Sequence, residues 1–244
     1  MALTDTEQKL ALAATVTLTF VTGVVDAVGF LALDRVFTGN MTGNIVILGM
    51  GVAGADELPV LGPAIALAAF TAAAFIAGLV LRAGTKGWQH RVTVLLTLGA
   101  LTLAALTVVA AVVGDHSGSA IQVVMAAATA AVMGSQAMVA RAVAVADMTT
   151  VVVTSTLASL AGETWTRKGG GILVNRRFGA IAMIFAGAVV GALLLRWHIA
   201  VPFALSAVLT AAVAILGHLR LSPQRTAKWP TRASRGAPTA VRES

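Results

Sequence analysis

Long uninterrupted apolar runs dominate the hydrophobic pattern of the chain. They show neither the alternation of a half-buried strand nor the narrow stripe of a surface helix. Helices of about 20 apolar residues cross a hydrocarbon core of about 30 Å. The pattern therefore predicts six transmembrane helices, at residues 11–33, 62–81, 92–113, 120–140, 178–195 and 199–219.

Two shorter apolar stretches, 38–54 and 148–162, decide the topology. With six crossings, 15 of the 17 Lys and Arg residues fall on the side of both termini, and only Arg35 and Arg196 face the other side. With eight crossings the best division is 11 against 6. Because basic residues concentrate in cytoplasmic loops, we expect six spans, two re-entrant or half-length helices, and both termini in the cytoplasm.

Composition supports this interpretation and narrows the chemistry. Hydrophobic residues make up 58% of the chain and charged residues 11%, which predicts an all-α integral membrane protein. The lipid bilayer is then its principal partner. The absence of cysteine excludes disulfides, thiolate metal sites and a cysteine nucleophile.

The basic residues at the two ends of the chain predict cytoplasmic segments. We expect a short N-terminus at residues 1–10, a transmembrane domain at 11–220 and a basic, disordered tail at 221–244. The tail contains three prolines and has no folded domain around it, so nucleic acid is not an expected partner.

The order of long and short apolar segments suggests an internal repeat. Each half has a span, a short segment led by polar residues, and two further spans. The halves are repeat A at 11–113 and repeat B at 120–219. A shift of 112 positions places Thr38 on Thr150 and Thr42 on Thr154. Because each half crosses three times, the repeat would be inverted, as in many secondary transporters. Chance similarity between apolar helices is the alternative.

Asp26 is a lone carboxylate inside the first predicted span, three residues after Gly23. Ionisable side chains within a membrane are costly and usually face the bundle interior or water. Asp26 could carry a proton or neutralise a substrate charge. The structural alternative is a protonated acid that bonds a neighbouring helix.

The most informative motif is FTGNMTGN at residues 37–44, which follows that span. Its two triplets repeat at a spacing of four residues, so in a helix over 38–52 like residues would share a face. The pairs are Thr38 with Thr42, Gly39 with Gly43, and Asn40 with Asn44. The helix N-terminus would offer free N–H groups to an anionic solute. Alternatively, the glycines pack helices and the amides cap the helix.

Further candidate residues lie in the second half. Thr150 and Thr154 could complete a site by hydrogen bonding, although such hydroxyls also bond their own helix. Gln136 falls near the symmetry position of Asp26. It is either a partner of Asp26 across the repeat axis or the donor of a simple interhelix hydrogen bond. Gly187 and Gly191 predict close helix packing. The histidines lie at span ends, so we expect no metal site.

These residues also resemble a known family. Gly23, Asp26, Ala27, Phe30 and Leu31, followed by the run from Val36 to Asn44, are similar to the conserved stretch of the YoaK family. Met133 to Ala137 resembles its second stretch, except that Ala and Met follow Gln136. The resemblance implies a bacterial six-span membrane protein of largely unassigned function, which we expect in the cytoplasmic (inner) membrane, and it supplies no substrate.

Together these features favour a secondary transporter of a small organic or anionic solute, with proton coupling and export as one version. A channel and a non-transporting structural or regulatory protein stay open as alternatives. We do not expect an enzyme, because the spans lack a second acid or a nucleophile opposite Asp26. No cofactor is expected, and a homodimer is one assembly that suits a chain of this size.

Overall fold

The computed structural model describes residues 5–55, 57–82, 87–114, 118–143 and 171–221, of which 171–177 are described as backbone only. The described residues form helices and contain no strand. The helices are α1 Asp5–Ala32, α2 Met41–Val52, α3 Leu61–Arg82, α4 His90–Val113, α5 Ser119–Val143, α6 Gly171–Leu195 and α7 Ala200–Leu221. All but α2 are long and apolar enough to cross a membrane. The predicted all-α membrane fold is confirmed.

The helices extend beyond the apolar runs that predicted them. α1 begins at Asp5, where a polar turn carries an ion pair of 2.8 Å between Lys9 and Asp5. Hydropathy identifies only the apolar part of a helix, which lies in lipid. It therefore does not detect the polar turns that continue the helix beyond the apolar part. Residues 144–170, with Thr150 and Thr154, lie outside the described residues, as do 222–244 of the predicted tail.

The ends of the long helices meet at two opposite faces of the bundle. The first face is built around Ala11, Leu81, Trp88 and Val143. The second face is built around Leu33, Val36, Ala110 and Ile199. α1, α4 and α6 therefore run from the first face to the second, and α3, α5 and α7 run back. This alternation matches six crossings.

Three helix pairs pack most closely: α1 with α6, α3 with α5, and α4 with α7. Gly187 lies directly against the backbone of Phe20, and Gly191 lies against Val24. On α5, Gly134 lies against the carbonyl of Phe70. Small residues let helix backbones approach closely, and in lipid such van der Waals packing is a main source of helix association. The predicted packing role of Gly187 and Gly191 is confirmed.

After α1 the chain turns back into the bundle. The N–H of Val36 donates to the carbonyl of Gly29 at 3.2 Å, and Gly39 lies beside Thr22. Thr22 is ten residues before the end of α1, which corresponds to a depth of about 15 Å at 1.5 Å per residue. The segment thus descends along α1 towards the middle of the membrane.

α2 then returns to the second face. Its 12 residues measure about 18 Å, roughly half the length of a membrane-spanning helix. Gly51 near its end lies beside the loop at Leu58, and Gly62 at the start of α3 lies beside Val36. The segment from 33 to 52 is a re-entrant hairpin, in which a non-helical stretch of chain enters and α2 leaves. α2 packs mainly against α3, and several of its large apolar side chains are exposed.

The hairpin predicts a specific labelling pattern. Because the chain has no cysteine, single cysteines can be introduced at exposed positions without background. Ala53→Cys and Trp197→Cys should react with a membrane-impermeant maleimide from the same side. Arg82→Cys and Arg220→Cys should react from the opposite side. Arg35→Cys, in the exposed loop before α2, should react from the same side as Ala53→Cys, and labelling of these two from opposite sides would mean that α2 crosses the membrane.

Candidate functional site

The carboxylate of Asp26 holds the deepest part of the hairpin. Its Oδ1 accepts hydrogen bonds from the N–H of Thr38 at 2.8 Å, the hydroxyl of Thr38 at 3.2 Å and the N–H of Gly39 at 2.6 Å. Thr38 is fully buried and Asp26 is half-buried. The non-helical backbone at Thr38 and Gly39 would otherwise carry unpaired N–H groups in the membrane. A carboxylate within a transmembrane helix accepts their hydrogen bonds instead.

A second contact closes the hairpin nearer to α2. The side-chain amide of fully buried Asn44 pairs with the backbone of Phe37, accepting from its N–H at 2.8 Å and donating to its carbonyl at 2.6 Å. The ring of Phe37 stacks on Phe30 of α1 at 5.0 Å between centroids. Gly43 lies against the Phe37 ring at its Cδ2 and Cε2 atoms. Asn44 therefore serves the hairpin itself.

α2 begins at Met41, so the prediction of a helix over 38–52 is wrong for the first triplet. Thr38 and Gly39 are not helical, and their N–H groups are committed to Asp26. Asn40 is the N-cap, and its side chain accepts from the N–H of Gly43 at 3.2 Å. The two triplets consequently do not stack on one helix face. The capping alternative describes Asn40 correctly.

The N–H groups expected to bind an anionic solute are largely occupied. Asp26 takes those of Thr38 and Gly39, and Asn40 takes that of Gly43. Thr42 lies exposed on the first turn of α2. The start of α2 is thus satisfied mainly by the protein's own side chains.

Gln136 of α5 reaches α1 one turn before Asp26. Its Nε2 donates to the carbonyl of Leu18 at 3.1 Å and to the hydroxyl of Thr22 at 3.2 Å. Its Oε1 is buried and has no hydrogen-bond partner among the described residues. The interhelix hydrogen bond expected of Gln136 is confirmed, although it ends on Thr22 rather than on the carboxylate.

Thr22 is the site residue that the sequence interpretation missed. It lies four residues before Asp26, so the two side chains share a face of α1. Its methyl group would be 2.8 Å from a Cβ added at Gly39, and both oxygens of Asp26 would be 3.5 Å from that Cβ. The spacing of Thr22 and Asp26 was the available signal.

The predicted site residues thus separate into groups. Asp26, Thr38 and Gly39 come together, and Gln136 joins them through Thr22. Asn40, Thr42, Gly43 and Asn44 belong to the start of α2. Gly23 packs against the α6 backbone near Ile184 and Gly187. Within the described part of the chain, no cluster of three or more His, Asp or Glu side chains could hold a metal ion.

The fold and this site define an all-α, multi-pass membrane protein with a re-entrant hairpin anchored on a carboxylate. The chain belongs to the family described as "Protein of unknown function (DUF1275)", whose profile matches residues 14–216. It is similar to the UPF0700 transmembrane protein YoaK of Bacillus subtilis (strain 168), with 36% identity over 142 residues. That match covers 57% of this chain and 60% of the relative's length. No solved structure matches the chain.

Proposed function

We propose that this protein is a secondary transporter of a small solute and that the Asp26 hairpin is its substrate or proton site. The observation that carries the proposal is the Asp26 carboxylate, which lies inside a membrane-spanning helix at the turning point of a re-entrant segment. Charged groups at such depth commonly mark solute or proton pathways. Non-helical backbone at membrane depth is tolerated where protein covers it or a cavity adjoins it.

The pairing of the helices supports an inverted repeat, the architecture of many such transporters. Exchanging the halves turns the α1–α6 pair into the α5–α3 pair and leaves the α4–α7 pair unchanged. The close contacts follow the same exchange. Gly23 lies against the carbonyl of Ile184, and Gly134 lies against that of Phe70. Gly134 follows Gly23 by 111 positions and Ile184 follows Phe70 by 114, close to the shift of 112 found in the sequence.

The distribution of charge supports an orientation with both termini in the cytoplasm of a bacterium. Among the residues whose side chains are described, the basic ones at the first face are Lys9, Arg82, Arg91, Arg141 and Arg220, and those at the second face are Arg35 and Arg196. The side richer in Lys and Arg is normally cytoplasmic. The hairpin would then enter from the external side of the inner membrane.

The experiment is a proton-flux measurement with the purified full chain in liposomes that contain a pH-sensitive dye. Gradients of methylammonium, glycine, succinate and glucose are imposed in turn as probes of the main solute classes. A coupled transporter should move protons with at least one class, and Asp26→Asn should lower the initial rate by about tenfold or more, since the amide cannot exchange a proton at neutral pH.

Asp34→Asn is the matched control. Asp34 lies in the loop after α1, is exposed, and contributes to neither set of hairpin bonds. Its variant should retain the wild-type rate. Equal flux in wild type and Asp26→Asn would remove Asp26 from the mechanism. The absence of flux with every probe class would favour the non-transporting alternative, in which the bonds of Asp26 and Asn44 serve only to hold the hairpin.

A further inference from the structure

We infer that the Asp26 site binds a monovalent cationic group, either an alkali metal ion or a protonated amine. This inference rests on the proposed function and specifies the ligand class of the same site. Its basis is a count of donors and acceptors around Thr22, Asp26 and Gln136. The donors are used within the protein, whereas one buried oxygen acceptor, Oε1 of Gln136, has no partner among the described residues.

The donors are accounted for one by one. The hydroxyl of Thr22 donates to the carbonyl of Leu18 at 3.0 Å, and the hydroxyl of Thr38 donates to Asp26. Both hydrogens of the Gln136 amide are used, towards Leu18 and Thr22. An anionic ligand needs donors, and these side chains have none left to offer.

The remaining groups are acceptors. Oε1 of Gln136 has no donor among the described residues, and the side chain is 5% exposed. Rotating the amide by half a turn would bring this oxygen against the carbonyl of Leu18, so the orientation is set by the protein. The Asp26 carboxylate accepts from the backbone N–H groups of Thr38, Gly39 and Asn40 and from the Thr38 hydroxyl, and no basic side chain of the described residues faces it. A buried acceptor without a donor calls for an explanation, and a bound cation is one.

The space between Thr22, Asp26 and Gly39 is small, since a Cβ added at Gly39 would lie 2.8 Å from the Thr22 methyl group and 3.5 Å from both Asp26 oxygens. Thr22 and Asp26 are one helical turn apart, so their Cβ atoms are about 5–6 Å from each other. Gly39 faces both of them and brings no side chain into the space. Gln136 approaches from α5 on the Thr22 side. A sodium-sized ion or a methylammonium-sized group suits such a space better than a large solute.

Charge points in the same direction. Among the described residues the ion pair of Lys9 with Asp5 lies at the far end of α1, and the basic side chains of the described chain lie at helix ends. Among the described residues the carboxylate of Asp26 is therefore balanced by backbone N–H groups, a hydroxyl and the positive end of α2, and not by a basic side chain. A cation would complete that balance, whereas an anionic solute would add to the negative charge. A divalent ion generally takes more carboxylates than this site supplies.

The test is equilibrium binding to the purified full chain in detergent, followed by thermal unfolding. Sodium chloride and methylammonium chloride are titrated separately at constant ionic strength, with tetraethylammonium chloride as the bulky balancing salt. A ligand that binds only the native state raises the melting temperature in a saturable manner. We expect a saturable rise in melting temperature with one of the two cations. A response to sodium identifies an alkali-ion site, and a response to methylammonium identifies an amine site.

Variants assign that effect to the site. Asp26→Asn should raise the concentration for half-maximal effect by about tenfold or more, because one charged contact is lost. Gln136→Met keeps the length of the side chain, removes the free oxygen, and should also weaken binding. This second variant preserves the test if Asp26→Asn fails to fold. Asp34→Asn should bind as the wild type does.

Three results would overturn the cationic assignment. The first is that neither sodium nor methylammonium raises the melting temperature in a saturable manner. The second is that the concentration for half-maximal effect is unchanged in both Asp26→Asn and Gln136→Met. The third is that tetraethylammonium succinate raises the melting temperature in a saturable manner that depends on Asp26. Flux of succinate that requires Asp26 would likewise refute it and leave the transporter proposal intact. Site-dependent cation binding without flux for any probe would support the binding inference and count against transport.

Discussion

Gly134→Leu is expected to prevent stable folding of the protein. A Cβ at this position would collide with the carbonyl oxygen of Phe70, and it would lie 3.0 Å from the carbonyl carbon and 3.1 Å from Cα of the same residue. These are backbone atoms, which cannot rotate away as a flexible side chain can. α3 and α5, one of the most closely packed helix pairs, would have to separate along their length.

The size of the effect should follow the size of the new side chain. Overpacking by one or a few methylene groups typically costs about 1–3 kcal/mol, so Gly134→Ala should fold with a clearly lower melting temperature. Gly134→Leu should yield mainly aggregated protein on size-exclusion chromatography in detergent. Both variants are compared with the wild type at equal expression, by chromatography and thermal unfolding.

Gly49→Ala is the matched control for this substitution. Gly49 also lies within a helix, but no described atom lies within 4 Å of its Cβ position. Alanine favours a helix over glycine by about 1 kcal/mol, so this variant should be as stable as the wild type or slightly more stable. If Gly134→Ala were equally harmless, the close approach of α3 and α5 at Phe70 would be refuted.

The crossing helices were predictable because lipid imposes one simple requirement on them. A span must be apolar for about 20 residues, and each predicted run matches a long helix, with only Leu33 and Ile199 lying one residue beyond a helix end. The start of α2 was not predictable in the same way. The four-residue spacing of the two triplets placed Thr38 and Gly39 in that helix, but Asp26, earlier in the chain, accepts their N–H groups instead. A tertiary acceptor of this kind leaves no local trace in the sequence.

The same reasoning separates the parts of the site. Proximity of Asp26 to the TGN block could be inferred, because only a short connection joins α1 to that block. The bond of Gln136 to Thr22 depends on how α5 is rotated and placed along α1. The pairing of Asn44 with Phe37 depends on the chain reversing its direction at Asn40. Neither the rotation nor the reversal is encoded in residue spacing, so these contacts required the three-dimensional structure.

Asn44→Ala is expected to loosen the hairpin without removing the helices that cross the membrane. The substitution would leave both the N–H and the carbonyl of Phe37 without their side-chain partner in a buried environment. An unsatisfied buried polar group costs about 1–3 kcal/mol, so the two together predict a loss of about 2–6 kcal/mol. The stacking of Phe37 on Phe30 should weaken too, because the backbone that positions the ring is no longer held.

The appropriate measurement combines thermal unfolding with hydrogen exchange of the peptide that contains Phe37, read by mass spectrometry. In Asn44→Ala that peptide should exchange faster, while peptides from α4 and α7 should keep their wild-type protection. Asn40→Ala is the control within the same motif, because it removes a single exposed capping bond to Gly43 and should cost only about 1 kcal/mol. If Asn40→Ala destabilised the hairpin as much as Asn44→Ala does, the cap of α2 rather than the buried amide pair would be what holds the re-entrant segment in place.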